Sequence, residues 1–356
     1  MHLDKPVQLI LDDGTIFEGK SFGSETAKAG EVVFSTAMVG YTESLTDPSY
    51  LGQILVVTFP LVGNYGVPDD TLTDGISDFY ESEKVQVSGL IVSDYSHEYS
   101  HWNAKKSLGD WLKEHDVPGI YGIDTRELTK ILREKGSMKG KIVFKGANEI
   151  EFYDPNIENQ VAIASCKEVL TYGDGEKKVV LVDCGVKHNI IRSLLKRNVT
   201  VIRVPWDYDF NKLEWDGLFI SNGPGNPDFC EETVKNIRKA MEGSKPICGI
   251  CMGNQLLSKA GGATIYKLKY GHRSHNQPVK MVDSTQCFIT SQNHGYAVAN
   301  ASLSAEWEPL FINLNDGTNE GIKHKTKPFF SAQFHPEACS GPTDTAFIFD
   351  LFIEKL

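Results

Sequence analysis

The chain has 356 residues and a formal net charge of −11, with 40% hydrophobic and 23% charged residues. That composition specifies a folded chain long enough for about two domains, and its negative charge excludes a nucleic-acid phosphate backbone as the expected partner. Cysteine number (seven) and scatter give no disulfide framework, and neither an apolar signal segment at the start nor a run of membrane-spanning length is present; the expected setting is a reducing compartment, the cytoplasm, with no membrane contact.

In the first half, residues 9–11, 31–35 and 53–59 read as strands and 104–114 and 127–135 as helices. Residues 1–170 are therefore expected to form a mixed α/β domain. Within it Ser44, Asp47 and Ser49 surround Pro48 and, on pattern alone, read as turn residues. A polar, turn-forming stretch at 172–177 reads as the linker, and residues 171–356 as the second domain. There the order is strand 179–183, helix 189–197, strands 199–204 and 217–221, helix 231–242, strand 246–250 and helix 252–260. A strand-rich stretch at 264–334 follows, then a closing amphipathic helix at 347–356 with Phe347, Phe349, Leu351 and Phe352 as core contacts. This alternation predicts an open, largely parallel α/β sheet whose ligands gather at the carboxyl ends of its strands.

The sharpest chemical signal is Gly249-Ile250-Cys251-Met252-Gly253, between an apolar strand and a helix. Glycines two positions either side of one residue permit a turn too tight for a flanking Cβ, a nucleophile elbow that thrusts the central side chain out at a helix N-terminus. There unpaired N–H groups favour a thiolate and a developing oxyanion, so Cys251 is the candidate nucleophile of an acyl transfer. Cys248 and Cys251 also spell C-x-x-C, but Cys166, Cys184, Cys230, Cys287 and Cys339 stand singly, which disfavours a zinc site, and Cys248 sits within the strand, which disfavours a redox pair. No metal is expected.

A thiol needs a base, and the base an orienting group. In Phe334-His335-Pro336-Glu337 the proline biases His335 towards extended backbone, where side chains two apart leave on one side; Glu337 can then hold the imidazole and complete a Cys-His-Glu triad. His294 is a rival base, while His272, His275 and His294 otherwise read as structural. The loop at 221–227, Ser-Asn-Gly-Pro-Gly-Asn-Pro, offers backbone N–H groups for an oxyanion hole and lacks the third glycine of a dinucleotide fingerprint. Residues 291–296, Ser-Gln-Asn-His-Gly-Tyr, follow an expected strand at 287–290 and bring groups suited to an uncharged amide substrate.

Together these three motifs resemble the class I glutamine amidotransferases. Gly30-Glu31-Val32-Val33-Phe34, Gly40-Tyr41, Leu45-Thr46-Asp47-Pro48-Ser49-Tyr50 and Gly122-Ile123-Asp124-Thr125-Arg126-Glu127-Leu128-Thr129 narrow the resemblance to the glutaminase (small) subunit or domain of carbamoyl-phosphate synthetase, most closely its eukaryotic members. The resemblance implies that Cys251 attacks the glutamine side-chain amide, giving a glutamyl thioester and ammonia, with His335 relaying protons and Glu337 orienting it. It implies oxyanion N–H groups from Gly225 and Met252, and glutamine held by Ser49, Gly223, Gly225, Met252, Gln255, Asn293, Gly295 and Tyr296. It implies no cofactor on this chain and a large synthetase partner, subunit or fused domain, that uses ATP, magnesium and bicarbonate. Asn254 stands where many relatives carry His. Cys251 is present, whereas ammonia-only relatives commonly lack a nucleophile there.

Overall fold

A computed structural model describes residues 5–146 and 148–356, over which elements are counted. They form two compact units that divide between Ile157 and Glu158. In the first unit, seven strands close into a barrel in the order Pro6–Leu11, Met138–Phe144, Lys28–Ser35, Gln53–Val57, Gly89–Ile91, Gly119–Tyr121 and Ile16–Ser21. Lys28–Ser35, Gln53–Val57, Gly89–Ile91 and Gly119–Tyr121 run parallel to one another; the remaining pairings are antiparallel. Leu9, Leu11, Val32, Ile54, Val56, Ile91 and Ile120 share a core with Leu128 and Leu132 of helix Thr125–Lys135. This unit carries more strand than the mixed domain expected, because its pairings join segments far apart in sequence. The helix expected at 104–114 begins later: Ala104–Lys106 pairs as a strand, and Leu108–Glu114 starts only where Ser107 Oγ accepts from the Asp110 N–H at 3.0 Å.

In the second unit a ten-stranded sheet runs Leu170–Tyr172, Thr200–Pro205, Lys178–Asp183, Gly217–Ile220, Ile247–Ile250, Phe329–Ala332, Asn319–His324, Trp307–Asn313, Ile265–Met281 and Cys287–Val298. The five strands from Thr200–Pro205 to Phe329–Ala332 are parallel and those outside them antiparallel. The segment around the expected 170/171 boundary is bound into this unit. Leu170–Tyr172 is its edge strand, the Cys166 N–H donates to Asp183 Oδ2 at 2.8 Å, and the Trp206 N–H donates to Ser165 Oγ at 3.0 Å.

The closing helix Phe347–Ile353 buries Ile348, Phe349 and Phe352, and its two buried phenylalanines lie 5.6 and 5.3 Å, centroid to centroid, from Phe219. Phe347 and Leu351 are only half-buried, contrary to expectation, because the 3.6-residue period sets Ile348 towards the sheet instead. Among the described residues no helix is long and apolar enough to cross a membrane.

Candidate active site

Four adjacent parallel strands, Lys178–Asp183, Gly217–Ile220, Ile247–Ile250 and Phe329–Ala332, deliver their carboxyl ends to one edge of the second unit. The segments that leave them carry Lys187, residues 221–227, Cys251 and His335 with Glu337. Cys251 follows its strand directly and stands at the N-cap of helix Met252–Ala260 with φ 53° and ψ −101°. A side chain in that region costs on the order of 1–3 kcal/mol, so the surroundings must impose it. They do so through the Cys251 N–H, which donates to the Ala332 carbonyl at 2.8 Å, and the Gly253 N–H, which donates to that of Ser221 at 2.9 Å. A Cβ on Gly249 would fall on the Gly253 carbonyl, and one on Gly253 on the Ile220 carbonyl. Only glycine at both places lets strand and helix approach this closely. The thiol is 2% exposed and lies 3.6 Å from the Asn293 carbonyl.

The His335 N–H donates to the Ser291 carbonyl at 2.9 Å, and its Nδ1 lies 2.7 Å from Glu337 Oε1. Its buried Nε2 has no hydrogen-bond partner. Burial alone would strip the imidazole of its proton, but Glu337 and then Cys251 outweigh it and push the group up to about 10. Burial likewise opposes the Glu337 carboxylate, and Lys187 and His335 together reverse that and hold it down to about 2. Lys187 Nζ lies 3.1 Å from Glu337 Oε1, both side chains almost wholly buried. Asn189 Nδ2 donates to the Glu337 carbonyl, and positive φ at Ala338, Cys339 and Ser340 turns the chain sharply away.

Sequence reasoning passed over Lys187. Its signal was topological, since it follows the first parallel strand of this edge by four residues and opens helix His188–Leu195. Gly223 and Gly225 lie in the neighbouring loop, Gly225 with φ 78°, and the Asn222 Oδ1 accepts from the Lys187 N–H at 3.0 Å. Residues 291–296 are not a loop after a strand ending at 290. They continue the strand Cys287–Val298, whose pairing with Ile265–Met281 shifts register between Ser274 and Gln277. Asn293, Gly295 and Tyr296 therefore sit on a sheet edge, and the Tyr296 carbonyl accepts from Gln255 Nε2 at 3.2 Å. Gln333 Oε1 accepts from Asn254 at 2.8 Å and from Gln255 at 3.3 Å, tying the first helical turn to the segment that leads into His335. Met252 buries its side chain in the core, which leaves its backbone at the elbow.

His294 takes its hydrogen bonds with the Tyr296 carbonyl and Gln292, so the rival base is engaged away from the thiol, and burial holds it neutral. His272 and His275 lie inside the strand Ile265–Met281. Cys248 is buried in its strand and unpaired. Ser49 belongs to the first unit, where its N–H donates to Asp47 Oδ1 at 2.9 Å at the start of the 3₁₀ turn Pro48–Tyr50.

Residues 180–355 match the glutamine amidotransferase class-I family, and residues 9–142 the carbamoyl-phosphate synthase small chain, CPSase domain. The chain is 52% identical over 353 residues to the mitochondrial carbamoyl-phosphate synthase [ammonia] of Homo sapiens, covering 98% of this chain and 23% of that protein. It is 52% identical to the multifunctional protein CAD of Squalus acanthias, covering 97% of this chain and 16% of the relative. Against the multifunctional protein URA2 of Saccharomyces cerevisiae the identity is 46%, covering 99% and 18%. Among solved structures, a glutamine amidotransferase from Thermotoga maritima aligns at TM-score 0.39 and 19% identity, over 51% of this chain and 87% of that one. The chain thus spans less than a quarter of the length of these curated relatives.

Proposed function

The chain belongs to the carbamoyl-phosphate synthase small-chain family with its class-I glutamine amidotransferase domain, and from that footing we propose that it hydrolyses glutamine and delivers ammonia to a synthetase that makes carbamoyl phosphate from bicarbonate and ATP. The observation that carries this reading is a thiol fixed at a strained elbow beside a buried imidazole whose far nitrogen lies 2.7 Å from a carboxylate.

In this mechanism the Cys251 proton rests on His335 Nε2, in keeping with an imidazole held charged up to about 10, and the thiolate attacks the side-chain carbonyl carbon of glutamine. The Met252 and Gly225 N–H groups receive the oxyanion. As the C–N bond breaks, His335 returns the proton to the leaving nitrogen, which departs as ammonia and leaves a glutamyl thioester. Water, deprotonated by His335, then attacks the thioester; glutamate leaves and the thiol is restored. Glu337 orients the imidazole and stabilises its charged form, and Lys187 holds Glu337 ionised. Gly223, Gly225, Met252, Gln255, Asn293, Gly295 and Tyr296 hold the substrate. None of these steps calls on a cofactor of this chain; ATP and magnesium act on the synthetase partner. The odd number and scatter of the cysteines support a reducing setting, which we take to be the cytoplasm.

Several similar relatives are named for ammonia, which favours a second reading, a silent scaffold for a synthetase. The intact Cys251, His335 and Glu337 favour the enzyme. Glutamate release from glutamine separates the two: the parent chain is expected to release it and Cys251→Ser to lose it, while ammonia-dependent synthesis by the assembled complex persists in the variant. Equal loss with both nitrogen donors would assign Cys251 a folding role instead.

A further inference from the structure

Behind the strand position of Asn293 lies a polar cluster that the glutaminase reading leaves unused. His272 of Ile265–Met281 pairs opposite His294 of Cys287–Val298, and Glu320 of Asn319–His324 reaches the same place. The three are 8%, 4% and 0% exposed. Their nitrogen and oxygen atoms lie within 4.8 Å of one another.

The hydrogen-bond partners fix which atoms carry hydrogen. His294 Nδ1 lies 2.8 Å from the Tyr296 carbonyl, which can only accept, so Nδ1 is protonated and, in the neutral ring, Nε2 is a bare lone pair. His272 Nε2 lies 2.9 Å from Asp316 Oδ2, which in a neutral ring leaves Nδ1 bare as well. Both bare nitrogens approach Gln292 Oε1, at 3.0 and 3.1 Å. The amide cannot turn over without loss: its Nε2 donates to Thr290 Oγ1 at 3.1 Å, and that hydroxyl donates onward to the Gln277 carbonyl at 2.8 Å. Glu320 Oε1 accepts from Asn313 Nδ2 at 2.9 Å and stands 3.3 Å from His272 Nδ1. Its Oε2 is buried with no hydrogen-bond partner, 4.0 Å from His294 Nε2. Asn313 Nδ2 also comes within 3.5 Å of His272 Nδ1 but already donates to Glu320 Oε1, so two imidazole lone pairs, an amide oxygen and a carboxylate oxygen converge on one place with few hydrogens among them.

We propose that His272, His294 and Glu320, with Gln292 Oε1, form a site for a zinc-type divalent cation. Imidazole donors select such an ion over magnesium or calcium. Zinc bonds of about 2.0–2.2 Å set tetrahedral ligand separations of roughly 3.3–3.5 Å; here the two imidazole nitrogens lie 3.0 and 3.1 Å from Gln292 Oε1, His272 Nδ1 lies 3.3 Å from Glu320 Oε1, and His294 Nε2 lies 4.0 Å from Glu320 Oε2. Both imidazoles already donate their far N–H to an acceptor, Asp316 or the Tyr296 carbonyl, and Asn313 steadies the carboxylate, the outer layer that orients ligands around a metal. The competing occupant is a proton on His272. It would satisfy that ring through Asp316 and Gln292, yet leave Glu320 Oε2 and His294 Nε2 opposed without one. The cation would pin three strands together behind Asn293 and Gly295. This inference stands whether or not the chain hydrolyses glutamine.

The test strips the full chain with EDTA, adds zinc, removes the excess by gel filtration and counts bound metal by mass spectrometry. Because Cys251 and His335 are themselves a zinc-binding pair, it is run in the parent and in Cys251→Ser. Close to one equivalent should persist in Cys251→Ser, and His272→Asn or Glu320→Gln in that background should weaken retention by about tenfold or more. X-ray absorption on the Cys251→Ser chain should show nitrogen and oxygen neighbours at about 2.0–2.1 Å and no sulfur at about 2.3 Å, a readout that holds even if a ligand variant fails to fold. Loss of zinc from Cys251→Ser, sulfur in its spectrum, or full retention in both ligand variants would overturn the site.

Discussion

Cys251 holds a backbone conformation that opposes its own side chain, φ 53° with ψ −101°, and this strain is what aims the thiol. Cys251→Gly removes the conflict together with the nucleophile. The variant is expected to be at least as stable as the parent in urea unfolding, while glutamate release vanishes; a loss beyond about 1 kcal/mol would show that the conformation carries no strain. A second expectation follows from the charges around His335. The imidazole titrates near 10 in the folded chain against an ordinary 6.5, so its stabilisation is fully present below 6.5 and is lost as pH rises to about 10. Glu337 titrates near 2 against 4.5, so its stabilisation is present above 4.5 and is lost as pH falls towards 2. Both groups are therefore charged and paired between 4.5 and 6.5. Glu337→Gln, which removes the carboxylate facing Lys187, is expected to cost about 3 kcal/mol in that window, with the gap to the parent narrowing on either side. In turnover, His335→Asn should cost at least ~100-fold and clearly more than Glu337→Gln. If His294→Asn proved the more damaging change, the base would be misassigned.

At the scale of elements, the elbow depends on a strand and a helix that nearly touch. Gly253→Ala places a Cβ on the Ile220 carbonyl and is expected to destabilise by roughly 2 kcal/mol or more. Gly243→Ala, whose nearest atom would be the Ala240 carbonyl at 3.4 Å, should stay within about 0.5 kcal/mol of the parent. Comparable losses in thermal unfolding would contradict the close approach. The same local features made the second unit readable from sequence: its parallel strands are short and mostly apolar, and the 221–227 loop and Cys251 each follow one, with His335 and Glu337 just beyond another. The barrel was harder to read, since Gly89–Ile91 and Gly119–Tyr121 are three residues long and gain their register only from partners distant in the chain. Periodicity does not encode such pairing. Residues 291–296 misled for another reason. Their polar side chains suggest a loop, but inside the sheet His272 answers Gln292 and Glu320 faces His294.

For the whole molecule, the proposed function has the candidate site release ammonia to a synthetase partner. We therefore expect the chain alone to hydrolyse glutamine slowly and to speed up when the synthetase partner binds with ATP and bicarbonate. A modest preference of the partner for the competent state of the loop around Gly225 is enough to shift its population. A full rate from the lone chain, unaltered by any partner, would contradict the coupling and leave the triad standing. The central claim, that Cys251 forms a covalent glutamyl intermediate, is tested most directly by acid-quenching the chain during turnover and mapping the adduct by mass spectrometry of its peptides. A glutamyl group on Cys251 is expected, absent from Cys251→Ser. Glutamate release by Cys251→Ser at the parent rate, or an adduct on any other residue, would contradict it.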